Sequence, residues 1–334
     1  MLSLLRRPLG LVLSAMTLVV LVALAWFALQ VDPVFSSPGA TVVITVQPGD
    51  STASVAAQLH AKGVIASALA FRVFDLVDGA VIRPGSYSLR QHSSFTSLAS
   101  IFNKGPNVLA VSAGQTLHEV ALNVANLEGN TWANSFALDL TSAKSPSPFT
   151  NGSSLEGLIG AGDYAITPDT TPASLAKEMV AAFTNEAASQ GLTPTTTLNG
   201  LNAYQLVIAA SIVEKEGYYP VNMPRTARVI FNRLARGGPL QMDSTVLYYL
   251  GQDGGTVTPG DLQLHTPYNT YLHNGLTPTP ICTVSSIALH SVLHAPAGPW
   301  LYFELVKKDG TMKFSATFSQ QLYWEHYVHV HGLQ

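Results

Sequence analysis

Near its start the chain carries Arg6 and Arg7 and then runs without a charge from Leu9 to Val31. That is about 23 residues, and crossing the hydrocarbon core of a bilayer takes about 20. No small soluble core needs such a segment at one end, so the rest of the chain must be organised around it. The arginine pair fixes the orientation, because basic residues stay on the cytoplasmic side. Residues 1–8 are then cytoplasmic, 9–31 a transmembrane helix, and everything after Asp32 lies across the membrane. A cleaved signal peptide is the alternative, since Ala23-Leu24-Ala25 fits a small-residue cleavage site. Both readings export the body of the protein.

Beyond the anchor, composition narrows the class. Charged residues are 11% of 334, well under the roughly 25% of ordinary soluble domains, and the net charge is −3. That balance supplies no basic surface for nucleic acid. A single cysteine, Cys282, rules out an internal disulfide framework and reads as a small buried hydrophobe.

Residues 32–40, "DPVFSSPGA", form a Pro/Ser/Gly linker. "TVVITVQPGD" follows as a β-branched strand that turns at Pro48-Gly49, and Asp50 is an N-cap candidate for the next helix, which stops at Lys62-Gly63. The strand, turn and helix order recurs in "IRPGSYSLRQHSSFTSLASIFNKG" and again in "VLAVSAGQTLHEVALNVANLEG", where a helix begins near Thr116. This pattern, running to about residue 125, predicts a compact α+β module and no parallel α/β array. Residues 142–154 read as loop by composition. Gly157, Gly160 and Gly162 lack the spacing and the Lys-Ser/Thr of a phosphate-binding loop, so they read as turn glycines. Helices are expected near Ala173–Ala188 and Thr226–Arg236, and "WLYFELVKKDGTMKFSA" reads as a hairpin turning at Asp309-Gly310.

The chemistry concentrates in "ASIVEKEGYYP", residues 210–220. From the cap candidate Asn202, apolar residues occupy nearly every side of a helix whose last turn carries Glu214 and Glu216. Two positions apart they diverge by about 200°, so at most one is expected to face a given cleft, with Lys215 pointing elsewhere. Apolar walls and the negative end of the helix dipole both resist ionisation. A carboxyl kept protonated near neutral pH can protonate a glycosidic oxygen. The plainer reading makes both glutamates surface residues paired with Lys215, Arg225 or Arg228.

The stretch "ASIVEKE…RVIFNRL…LQMDSTV…YNTY", together with "VQPGDSTASVAAQLHAKGVI", "RPGSYSL" and "LEGLIGAGDYAI", resembles the endolytic murein transglycosylases, the MltG or YceG-like family. The resemblance covers nearly all of the exported chain. It implies an α+β fold with a LysM-like module at 41–110, a connecting region at 111–200 and a catalytic region at 201–334. It also implies a lytic transglycosylase anchored in the plasma membrane that cuts nascent peptidoglycan and leaves 1,6-anhydro-N-acetylmuramic acid ends. Glu216 matches the family's catalytic glutamate; one such group can first give a proton and then take one. Gln241, Asp243, Asn269 and Tyr271 fall in signature positions suited to holding sugar hydroxyl and acetamido groups, with Glu214 in support. No metal or cofactor is implied, and the expected partners are glycan strands and cell-wall synthesis proteins such as penicillin-binding proteins.

Three stretches depart from the family pattern: Ala113-Gly114, Gly160–Tyr164 and the run from Gly275 to Ser286. His326, His329 and His331 raise the idea of a zinc amidase, but no HExxH accompanies them. A hydrolase using Asp243 to hold a water, and a non-catalytic glycan-binding scaffold, are the remaining alternatives.

Overall fold

In a computed structural model of the chain, described residues are 3–32, 37, 39–141, 147–150, 152, 154–167, 169–217 and 219–332. Most of the 32–40 linker and of the 142–154 loop lies outside them. The architecture is mixed α+β, with helices and small antiparallel sheets in two compact units.

The first unit comprises Met1–Leu109, Asn126–Gly129 and Ala165–Thr170. It begins with α1 (Ser3–Val31), whose stretch Ser14–Val31 is the one helical segment among the described residues long and apolar enough to cross a membrane. Then come β1 (Thr41–Val46), α2 (Thr52–Ala61), α3 (Ala68–Asp78), β2 (Gly85–Arg90) and α4 (Phe95–Lys104). β1 and β2 pair antiparallel, in register from Thr41 opposite Arg90 to Val46 opposite Gly85. One face of that ribbon, Ile44, Val46, Tyr87 and Leu89, is buried against Leu59, Phe71, Phe95 and Phe102. The aromatic rings meet edge to face, Phe71 and Phe95 at 5.4 Å, which is the favoured electrostatic arrangement.

Serines cap all three helices after the anchor. Ser51, Ser67 and Ser94 accept the amides of Ser54, Ala70 and Ser97. The cap of α2 is therefore Ser51 and not Asp50. Asp50 is drawn back by the Pro48-Gly49 turn, where its carboxylate accepts the Gln47 amide at 2.9 Å and the Ser54 hydroxyl at 2.7 Å.

The second unit comprises Ala110–Ala125, Asn130–Tyr164 and Thr171–Gln334. β3 (Val108–Val111), α5 (Leu117–Glu128) and β4 (Gly162–Ala165) each have residues in both units, and α6 (Asn130–Leu140), α7 (Pro172–Ser189) and the two-residue strands β5 (Thr197–Leu198) and β6 (Leu201–Asn202) lie in the second. α8 (Ala203–Glu216), α9 (Met223–Ala235), α10 (Asp243–Tyr249), α11 (Ser286–Leu293), β7 (Tyr302–Leu305), β8 (Met312–Ser315) and α12 (Phe318–Val330) complete it. Ala110–Ala125 folds with this unit because it is tied there. Gly114 donates to the Thr283 carbonyl and Thr283 to the Gln115 carbonyl, both at 2.7 Å.

α8 is the axis of this unit. It starts in a reciprocal cap, the Asn202 side chain accepting the Gln205 amide and the Gln205 side chain accepting the Asn202 amide. Its residues from Leu206 to Val213 are all buried, packed by α9, α10 and α11. Each buried Leu, Ile or Val there contributes about 1.5–3 kcal/mol over exposure. The one hydroxyl in that run, Ser211, donates to the Ile208 carbonyl at 2.8 Å and accepts the Ile281 amide at 3.0 Å, so its burial leaves nothing unpaired.

α9 starts three residues before the expected Thr226, since Pro224 is compatible with a helix's first turn. Its polar face fastens the segment before β7. Arg228 donates to the Ala295 and Pro296 carbonyls and Asn232 to those of Gly298 and Trp300. β7 and β8 form the expected hairpin, with Gly310 at φ 88° in its turn.

Candidate active site

The end of α8 opens into a groove of about 930 Å³ within the second unit. Its walls come from the segment 112–119, the Glu156 loop, α10 with the glycine-rich turn after it, Tyr268 and Ile281. Glu214, Lys215 and Glu216 all line it. The expectation that only one glutamate faces the cleft, with Lys215 elsewhere, fails for a geometric reason. The groove wraps around the tip of the helix, so residues on several of its sides reach the same space.

The two glutamates nonetheless diverge. Glu214 Oε2 accepts the amide and hydroxyl of Ser285, the N-cap of α11, at 2.9 and 2.6 Å. Glu216 Oε1 accepts the amide and hydroxyl of Ser244, in the first turn of α10, at 3.1 and 2.7 Å. A third carboxyl repeats the arrangement, Glu156 accepting the Leu117 amide at the start of α5 at 3.1 Å. Each sits where free amide hydrogens and the helix dipole favour negative charge. None pairs with the cations expected for surface glutamates. Lys215 pairs with Asp253, Arg225 lies over the Trp300 ring at 5.3 Å, and Arg228 is spent on carbonyls.

Against those donors stands desolvation. Burial pushes the Glu216 carboxyl above the ordinary carboxylate range; the Ser244 hydroxyl and amide pull it back, the Asp243 charge adds to the rise and Arg233 opposes it. Glu216 lines the groove, and its Oε2 accepts no hydrogen bond among the described residues. Glu156, 4% exposed, is pushed up to about 7, chiefly by burial, with the Tyr248 hydroxyl 3.0 Å from its Oε2 drawing it down. Tyr248 belongs to α10, so Glu156 braces the helix that holds Glu216.

The other signature residues separate into two groups. Asp243 lines the groove and accepts the Tyr271 hydroxyl. Gln241 is exposed at φ 50°, its carbonyl 3.5 Å from Arg233 Nη1. Asn269 is fully buried and fully engaged: its amide donates to the Leu262 and Leu264 carbonyls and its oxygen accepts the Tyr271 amide. It shapes the loop behind Tyr271 and is not at the groove surface. Ala113 and Gly114, departures from the family pattern, are in the groove wall.

Sequence reasoning missed Ser244, Glu156 and Tyr248. The available signal for Glu156 was a lone carboxyl in the apolar run "LEGLIG", where an unpaired charge is costly. Cys282 is buried against the Ser211 carbonyl and burial pushes its thiol well up. Among the described residues no group of three His, Cys, Asp or Glu side chains is placed to hold a metal ion.

A buried apolar helix delivers a carboxyl to an open groove with polar and aromatic walls. The chain belongs to the YceG-like family, which matches residues 44–324. It is 27% identical to an endolytic murein transglycosylase of Bacillus subtilis strain 168, over 86% of this chain and 85% of that protein. It is 26% identical to the protein of the same description from Streptococcus pneumoniae strain D39, covering 85% of this chain and 57% of the longer relative. The crystal structure of a yceG-like protein from Listeria monocytogenes superposes with a TM-score of 0.57 at 24% identity, over 85% of this chain and 99% of that one.

Proposed function

We propose that this protein is a membrane-anchored lytic transglycosylase that cuts peptidoglycan strands internally, with Glu216 as the single acid and base. The observation that carries the reading is the division of labour within that carboxyl. Oε1 is held by two donors from Ser244 while Oε2 has no hydrogen-bond partner among the described residues and belongs to a side chain that lines the groove, and burial favours the protonated form. A proton on Oε2 passes to the glycosidic oxygen as the bond to the muramic acid C1 breaks. The carboxylate so formed, stabilised by both Ser244 donors, takes the proton of the sugar's own 6-hydroxyl as that oxygen attacks C1. The ring closes to the 1,6-anhydro product and no water is consumed. Holding the attacking hydroxyl in the same molecule replaces a collision with an intramolecular step.

Tyr248, Tyr249 and Tyr268 line the groove and offer faces for sugar rings, with Asp243 and Tyr271 beside Glu216 to bind hydroxyl or acetamido groups and Gln241 at the exposed edge. Glu214 supports the wall through Ser285. α1 anchors the protein with its N-terminus in the cytoplasm, placing the groove where strands are made by cell-wall synthesis proteins. The strand-helix-helix-strand order of β1, α2, α3 and β2 supports a LysM-like glycan-holding role for residues 41–110.

Mass spectrometry of uncrosslinked glycan strands digested by the full-length protein tests the reaction type. Internal fragments whose new muramic acid ends are lighter by one water than muramidase products are expected. Reducing ends instead make the enzyme a hydrolase, with Asp243 the first candidate for holding its water.

A further inference from the structure

The strongest unassigned feature is the outer face of α3. This helix buries Ala70 and Phe71 in the core of the first unit, yet its opposite side exposes Leu69 at 62%, Val73 at 43%, Leu76 at 86% and Val77 at 88%. At about 100° per residue these four form one stripe. Val81, just past the left-handed Gly79 cap, adds a fifth large apolar group at 57% exposure. Arg72 is exposed beside the stripe, whereas Asp75 turns inward to accept the Thr52 hydroxyl at 3.1 Å. Four clustered, exposed aliphatic side chains are unusual on a surface facing only water.

What covers them follows from the anchor. α1 touches both α3 and α4, and its last turns pack Phe27 and Val31 against the same core. The apolar span ends at Val31. Packed helices have axes about 8–10 Å apart, while the headgroup layer on each side of a bilayer is about 5–8 Å deep. Because Phe27 and Val31 pack on the core to which α3 gives Ala70 and Phe71, α3 stands within about one helix spacing of the end of the span, near the level where acyl chains give way to headgroups. Trp26, 47% exposed in the last part of α1, suits the same level.

We propose that the outer face of α3 is inserted in the outer boundary of the bilayer that α1 spans, with Leu69, Val73, Leu76 and Val77 among the upper acyl chains and Arg72 at the lipid phosphates. This rests on the reading of α1 as a membrane anchor. Insertion gives the first unit a second point of attachment, which fixes its tilt and holds its module flat to the membrane, where a single helix would leave it free to swivel.

The test uses the full-length protein in phospholipid nanodiscs, with Cys282→Ser removing the native thiol. An environment-sensitive fluorophore is attached at Leu76→Cys or, separately, at Val22→Cys within α1. Both labels quenched by lipids carrying a nitroxide near the headgroup or in the chain, with residue 76 several-fold less accessible to aqueous iodide than in the Leu69→Glu, Val73→Glu background, is the expected result. A label at 22 quenched by lipid while that at 76 answers only to iodide overturns the inference and leaves the anchor standing. A label at 22 untouched by lipid quenchers overturns both. Shielding of residue 76 by mixing with quencher-labelled protein, without lipid quenching, assigns the face to a second copy and also overturns the proposal. Position 76 is on the surface, so labelling leaves the core intact.

Discussion

Ser244 donates twice to one oxygen of Glu216, its amide at 3.1 Å and its hydroxyl at 2.7 Å. The pair comes from the first turn of α10 meeting the last turn of α8, so two helix ends fix the carboxyl that the proposed chemistry needs.

Ser244→Ala removes the hydroxyl donor, which favours the charged form, and leaves the amide. The Glu216 carboxyl, already raised by burial, should rise further. Since the acid must enter the cycle protonated, the alkaline limb of the kcat/KM profile should move to higher pH. Looser orientation should lower the maximum by up to about 100-fold. A pH-rate series on soluble glycan strands measures both effects.

Glu156 gives a stability signature distinct from catalysis. Its folded value, about 7, lies above the ordinary 4.5, so the folded state holds the proton more tightly than the unfolded chain. The resulting stabilisation is present below about pH 4.5 and is lost as pH rises to about 7. Glu156→Gln keeps a neutral group of the same shape and should match the native protein at pH 4.5. Above pH 7 it should be the more stable of the two by up to about 3 kcal/mol, since each tenfold difference in proton affinity between the folded and unfolded chain is worth roughly 1.4 kcal/mol. Denaturant titrations at pH 4.5 and 8 compare them.

Gly217 ends α8 with no room for a side chain. A Cβ there would stand 2.5 Å from Met223 Cγ and 2.7 Å from the Val213 carbonyl oxygen. Gly217→Ala should push α9 away from α8, costing about 1–3 kcal/mol and shifting Glu216 against Ser244. Thermal unfolding and strand cleavage should fall together.

Asn269 and Tyr271 should separate by readout. Asn269→Ala leaves the Leu262 carbonyl and the Tyr271 amide without their partner, while the Leu264 carbonyl keeps the Thr266 amide, and a loss of roughly 3 kcal/mol in folding is expected. Tyr271→Phe loses only the hydroxyl that Asp243 accepts. It should leave stability nearly unchanged and act on KM, as steady-state kinetics on strands of defined length would reveal.

Local signals made much of this fold legible. The Asn202 cap, the apolar run behind Glu214 and Glu216 and the Asp309-Gly310 turn each encode their element within a few residues. The expected cap Asp50 gave way to its neighbour Ser51, because the choice depends on how the preceding turn folds back and draws the Asp50 carboxylate to Gln47. The groove was less legible, since its walls come from segments far apart in the chain. Nothing near Glu216 announces that Ser244 will grip it, or that Glu156 will brace α10 through Tyr248. The position of Asn269 inside its loop was equally hidden, because asparagine serves sugar binding and backbone stapling with the same amide.

Glu216→Gln tests the central claim most directly. The amide keeps the shape and can still accept from Ser244, but has no proton to give a glycosidic oxygen. Incubated with native strands and read by mass spectrometry, the folded variant should bind glycan and yield no anhydro-ended fragments, where the unaltered protein yields them. Fragments released at the unaltered rate would contradict the assignment of the proton transfers to Glu216.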